Sequence, residues 1–177
     1  MILNQEDSLF FIIDVQEKLL NAVFNKDIVE HKTNILAKAA EVLELPLFIT
    51  EQYPQGLGKT IGNITQKAKV FEKTTFNALA DEKLLNEIKS TEKKQIIIWG
   101  IETHICVHQT VAAFIEAGFD VTVVADACGS RSEKEYLFAL DCMKKNGANI
   151  KTTEMVLFEL LKSAKHPSFK AIQSLIK

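Results

Sequence analysis

The sequence predicts a three-layer α/β/α fold with a mostly parallel sheet at its centre. Three observations carry this. Short apolar runs rich in β-branched and aromatic residues read as strands buried on both faces. Stretches with helical periodicity alternate with those runs. The connections between them are short, so each helix must return the chain across the sheet and cover one of its faces.

Leu9-Phe10-Phe11-Ile12-Ile13 is the first such run, and Asp14 ends it. From Asp27 to Leu45 the residues Ile28, Ile35, Leu36, Ala39, Ala40 and Leu43 recur at helical spacing with charges between them, and Pro46 stops the pattern. Leu47-Phe48-Ile49 is the next strand; Glu51 to Gly62, with a proline and three glycines, reads as a loop, and Val70-Phe71 as a short strand. Ala80 to Ile88 reads as a helix, Ile96 to Trp99 as the most buried strand, and about His104 to Ala117 as a helix stopped by Gly118. Val121 to Ala125 is another strand. Ser132 with Glu135 forms a capping box for a helix through Leu137, Leu140 and Met143 that Asn146-Gly147 ends. Ile150 opens a last strand, and helices finish near Leu160 and Ile176.

A length of 177 residues fits one domain over residues 1–177, since domains cluster near roughly 100–200 residues. With 21 Lys and Arg against 23 Asp and Glu, the net charge of −2 supplies no basic excess for phosphates or anionic lipid, so neither nucleic acid nor membrane is expected as a partner. No apolar run approaches the roughly 20 residues of a bilayer span. Cys106, Cys128 and Cys142 are odd in number, and the N-terminus lacks the features of a secretory signal, which predicts a reduced, cytoplasmic setting.

Ligands bind an open parallel sheet beyond the carboxyl ends of its strands, so the residues that end the apolar runs are the candidates for chemistry. These are Asp14, Glu51, Lys73, the stretch Gly100 to Cys106, and Asp126. Cys106 is expected in the first turn of a helix, where free N–H groups and the helix dipole favour a thiolate. Lys73 nearby would lower the thiol pKa further and Asp14 would accept or relay its proton, the needs of an activated nucleophile. Each residue alone has a plain structural reading: Asp14 as a turn residue, Lys73 as a solvated lysine, Cys106 as a small core residue. Only their shared rim favours chemistry. Cys128 and Cys142 read as packing residues and His31 and His166 as surface residues. His104 and His108 have i, i+4 spacing but no third metal ligand nearby.

Phe11-Ile12-Ile13-Asp14-Val15-Gln16, then Lys73-Thr74, then Gly100-Ile101-Glu102-Thr103-His104-Ile105-Cys106-Val107 resemble the isochorismatase-like hydrolase superfamily of cysteine hydrolases. The resemblance runs through Gln109-Thr110-Val111, Val124 to Ala127 and Ser130-Arg131, and is greatest to the branch of isochorismatase domain-containing proteins. It implies six parallel strands in Rossmann-like order and a catalytic triad of Asp14, Lys73 and Cys106. It also implies a non-proline cis peptide at Ile101–Glu102, with the N–H groups of Glu102 and Cys106 forming an oxyanion hole. The implied reaction is attack on a small amide or related carbonyl, loss of an amine and hydrolysis of the thioester. Gln16, Phe24, Gln52, Tyr53 and Phe76 are the expected substrate pocket, and a homo-oligomer is expected because many members assemble.

Two departures from the family pattern stand out. Where nicotinamidase-type members place an aspartate and histidines for a metal, this chain reads Glu51-Gln52-Tyr53-Pro54-Gln55-Gly56, so no catalytic metal and no other cofactor is expected. The segment between Asp14 and the first helix is short, leaving little lid. Cys106 itself argues against vinyl-ether cleavage by protonation, which needs no thiol. A non-catalytic interaction module on the same fold is the alternative; a nucleotide-binding protein ranks last, because no glycine-rich loop follows the first strand.

Overall fold

The computed structural model describes residues 2–62, 64 and 68–177. Six strands form one sheet: β1 (Ser8–Ile13), β2 (Leu47–Gln52), β3 (Lys69–Lys73), β4 (Gln95–Gly100), β5 (Asp120–Val124) and β6 (Asn149–Lys151). Their order is β3-β2-β1-β4-β5-β6 and every pairing is parallel. All six residues of β1 and of β4 are buried, as uninterrupted apolar strands at the centre of a covered sheet should be.

Among the described residues eight α-helices accompany the strands: α1 (Glu17–Leu20), α2 (Lys26–Val42), α3 (Pro54–Leu57), α4 (Glu82–Lys89), α5 (His108–Glu116), α6 (Glu133–Lys145), α7 (Thr153–Leu161) and α8 (Phe169–Ile176). α4, α5 and α6 group on one face of the sheet and α2, α7 and α8 on the other. Val29, Leu36, Ala39 and Ala40 of α2 are buried at the helical spacing read from the sequence. Ser132 Oγ accepts from the Glu135 N–H at the start of α6, and Gly147 takes the left-handed φ of +103° beyond its end.

Some boundaries shift for local reasons. The helix expected from His104 begins as a π-helical turn, Thr103–Val107, before α5 continues it. Short 3₁₀ turns at Ala78–Ala80 and Ala125–Ala127 precede α4 and follow β5. α3 is a single turn within the segment Glu51 to Gly62 read as a loop, and α1 is a single turn between β1 and α2.

Two features of the fold set the site. Phe71, Phe48 and Phe11 stack in a row across β3, β2 and β1, with ring centroids 6.2 and 6.4 Å apart, and Phe114 of α5 meets Phe11 edge-on at 5.3 Å. Such aromatic contacts favour one seating of α5 over these strands. At the end of β4, Gly100 has φ +139°, and a Cβ there would lie 2.0 Å from the Ile13 carbonyl oxygen. Only glycine allows β4 to end this close to β1, and the Ile101 N–H then donates to Ile13 O at 2.9 Å.

Candidate functional site

β1 delivers Asp14 to the rim, fully buried and with φ +50°, a left-handed conformation that aspartate tolerates better than most residues. Thr50 Oγ1 donates to Asp14 Oδ1 at 2.7 Å, and Lys73 Nζ donates to Asp14 Oδ2 at 2.6 Å. Lys73 ends β3 opposite Gln52 in register, and its ammonium also donates to Gln52 Oε1 at 2.7 Å and to Thr75 O at 3.1 Å. Its side chain is 4% exposed, so this is a dry ion pair with its remaining donors satisfied, the condition under which such a pair persists. The lysine is therefore no solvated surface residue, and the aspartate does not cap a turn with its side chain.

Cys106 sits in the π-helical turn and is 6% exposed. The Asp14 carboxylate, the Lys73 ammonium and the Glu102 peptide N–H all lie within electrostatic reach of the thiol. Burial, then the negative charge of Asp14, push the thiol up from 9.0 to about 12; Lys73 and the Glu102 N–H oppose this without overcoming it. This direction runs against the thiolate expected from the sequence, because desolvation and Asp14 outweigh the cation and favour the thiol.

The loop leading to Cys106 is held on its other side. The Ile101–Glu102 peptide is cis. Thr103 N–H donates to Gly129 O at 2.8 Å, and Glu102 O accepts from Ile105 and Val107. Arg131 grips the Glu102 carboxylate with two bonds, Nε to Oε1 at 2.8 Å and Nη2 to Oε2 at 3.2 Å. His104 Nδ1 lies 3.0 Å from Ser130 Oγ. Among the described residues no group of three His, Cys, Asp or Glu is arranged to hold a metal ion.

The expected pocket residues divide. Gln16 is fully buried and its amide is consumed in bracing, donating to Gln52 O and Gly58 O and accepting from the Gln52 N–H. It lines no open space, because the loop after β2 needs its hydrogen bonds. Gln52 Nε2 donates to Thr74 O, so this side chain also positions backbone. Tyr53 lines a cleft of about 460 Å³ with Lys73, Thr74, Thr75, Asp81 and Glu82. Phe76 is 53% exposed on the loop beyond Thr75. Phe24 packs edge-on against Tyr136 of α6 instead, its N–H donating to Ser130 O. Glu51 points away from this cluster: burial pushes its carboxyl up, but Thr60 and Lys59 outweigh burial and hold it below the ordinary value. Cys128 is buried as expected of a packing residue, whereas Cys142 is exposed on α6, on the helix face turned from the sheet.

Thr50 has no role in the reading of the sequence, and Arg131 enters it only as a residue of the family resemblance. The signal for Thr50 was its place two residues after Phe48, on the same strand face as the aromatic row.

The family model described as the isochorismatase domain matches residues 8–155. The isochorismatase domain-containing protein 2 of Xenopus laevis is 42% identical over 177 residues, covering 98% of this chain and 85% of that protein. A solved structure titled MAR1 ribonuclease, from Caenorhabditis elegans, superposes with TM-score 0.93 at 33% identity, covering 99% of this chain and 92% of the other. The YcaC gene product of Escherichia coli, described as an octameric hydrolase of unknown specificity, superposes with TM-score 0.94 at 28% identity, covering 99% and 89%.

Proposed function

The chain belongs to the isochorismatase family, and from that premise we propose that residues 1–177 form a single-domain cysteine hydrolase acting on a small amide or related carbonyl compound. One observation carries the reading: a buried carboxylate, Asp14, faces the Lys73 ammonium on one side and the Cys106 thiol on the other.

The steps follow from that placement. Asp14 takes the thiol proton as sulfur attacks the substrate carbonyl, forming the C–S bond and pushing the carbonyl π electrons onto oxygen. Lys73 pairs with the carboxylate and orients it before the transfer. The N–H groups of Glu102 and Cys106 receive the oxyanion. Collapse breaks the C–N bond; the amine leaves with the proton from Asp14. Water, deprotonated by Asp14, then attacks the thioester and releases the acid and the free thiol.

The cleft beside Lys73 is the proposed entry for substrate. Glu72, Asp81 and Glu82 line it, and together with the chain's net negative charge they argue against a polynucleotide substrate, whose phosphates call for cations. An oligomer is proposed as well, supported by the octameric neighbour and by exposed Leu137 and Phe138 on α6. The reading sets the protein in the cytoplasm, where thiols stay reduced; no described helix is long and apolar enough to cross a membrane.

The slight exposure of the sulfur favours a second reading, a non-catalytic module in which Cys106 is a core residue. Ammonia release from a panel of small primary amides, with mass spectrometry of the Cys106 peptide, decides between them. Turnover with an acylated Cys106, absent in Cys106→Ser, supports the hydrolase. No turnover and no acylation across the panel leaves the module.

A further inference from the structure

Arg131 lies 25 residues beyond the sulfur in sequence, yet it is tied to the peptide that faces that sulfur. Its guanidinium holds Glu102 through two bonds of 2.8 and 3.2 Å, the planar fork-to-carboxylate geometry that fixes direction as well as distance. The Glu102 side chain is 11% exposed and turned inward, while the Arg131 guanidinium covering it is 66% exposed. Arg131 itself is anchored: Ser132, the next residue, caps α6, and α6 packs on the π-helical turn that carries Cys106. Glu102 is thus gripped through its side chain by Arg131, just before α6, while its carbonyl accepts from the Ile105 and Val107 N–H groups on either side of Cys106.

We propose that Arg131 is a positioning residue for the nucleophile: its fork fixes the Glu102 carboxylate, and through it the angle at which the Glu102 N–H meets the Cys106 sulfur and the oxyanion that follows. The proposal rests on the hydrolase reading of Cys106. Arg131 touches neither sulfur nor substrate. A bidentate fork matters here because a single point charge fixes the distance to a carboxylate and leaves its plane free to rotate.

The test is the rate of iodoacetamide alkylation at Cys106, followed on its own peptide by mass spectrometry from pH 7 to 11. The variants are Arg131→Ala, Arg131→Lys and Asp14→Asn, with Lys145→Ala as an unrelated surface control. Arg131→Ala is expected to alkylate about tenfold more slowly at each pH below the thiol's pKa, since a lost N–H bond disfavours the thiolate. Arg131→Lys, keeping the charge but not the fork, recovers only part of the rate. Mere loosening of the fold exposes the thiol and speeds alkylation, the opposite sign, and so overturns the proposal. Arg131→Ala tracking the wild type also overturns it, as does Arg131→Lys matching the wild type, which assigns the effect to charge alone. Asp14→Asn separates the two levels. If it shifts the profile while Arg131→Ala does not, only the positioning role falls; if it leaves the profile unmoved, the reading of Cys106 falls and the proposal with it.

Discussion

Cys106 and Cys128 are both buried thiols, and burial is the largest reason that each is pushed up from 9.0 to about 12. Their neighbours differ. Cys106 faces a carboxylate held in place by Lys73 and Thr50, so its proton has a destination. Cys128 has a backbone N–H from Gly100 and the charge of Asp126, whose carboxylate is bonded to Thr153 and paired with Lys32 instead, so its proton has no such acceptor. The same titration value thus describes a base-coupled nucleophile and an inert packing residue. Reactivity is set by the acceptor beside the thiol, not by the thiol's own acidity.

The comparison breaks first at the sulfur itself. Cys106→Ala is expected to lower amide turnover by on the order of 10³-fold or more, measured as ammonia release, while Cys128→Ala keeps turnover within a fewfold of wild type. An equal loss in both variants would sink the distinction. Asp14→Asn sharpens it by splitting two observables. Hydrolysis falls about 10²–10⁴-fold for want of a base, yet iodoacetamide reacts with Cys106 faster at a given pH, because the charge that raises the thiol is gone. Slower alkylation in that variant contradicts the assigned cause.

Lys73→Met leaves Asp14 buried without its cation, and urea unfolding should show a loss of about 3–5 kcal/mol, largely recovered in the Lys73→Met/Asp14→Asn double variant. The smallest effect lies at high pH. Both thiols have folded values above 9.0, so the folded state holds protons that the unfolded state has released; stability is retained below about 9 and falls as pH rises toward about 12. Melting temperature followed across that window should fall less steeply in Cys128→Ala than in the wild type, and parallel curves refute the buried-proton account of Cys128.

Much of this was legible in the sequence because strand ends in a parallel sheet share one rim. Ile13, Val124 and Trp99 mark strands by their apolar runs, and Asp14, Lys73 and the Gly100 to Cys106 stretch follow from the rule that chemistry lies beyond the carboxyl ends. What lay hidden depended on the third dimension. The shift at Cys106 turns first on its burial and then on how Asp14 and Lys73 weigh at the sulfur, and residue order carries neither. Gln16 follows Asp14 closely and reads as a pocket residue, yet its amide is spent on Gln52 and Gly58. Arg131 enters the sequence reading only as a residue of the family resemblance; that its partner is Glu102 depends on how α6 lies against the π-helical turn.

The contact of Gly100 with Ile13 works as a ruler between base and nucleophile. Asp14 is the next residue after Ile13, and Cys106 follows six residues after Gly100, so both reactive groups are measured from one point where two backbones touch. A methyl group there forces the strands apart and carries carboxylate and sulfur apart together. Sequence change in the loops around Tyr53 and Phe76 leaves that measurement alone. This fold can therefore revise what it admits without recalibrating how it reacts.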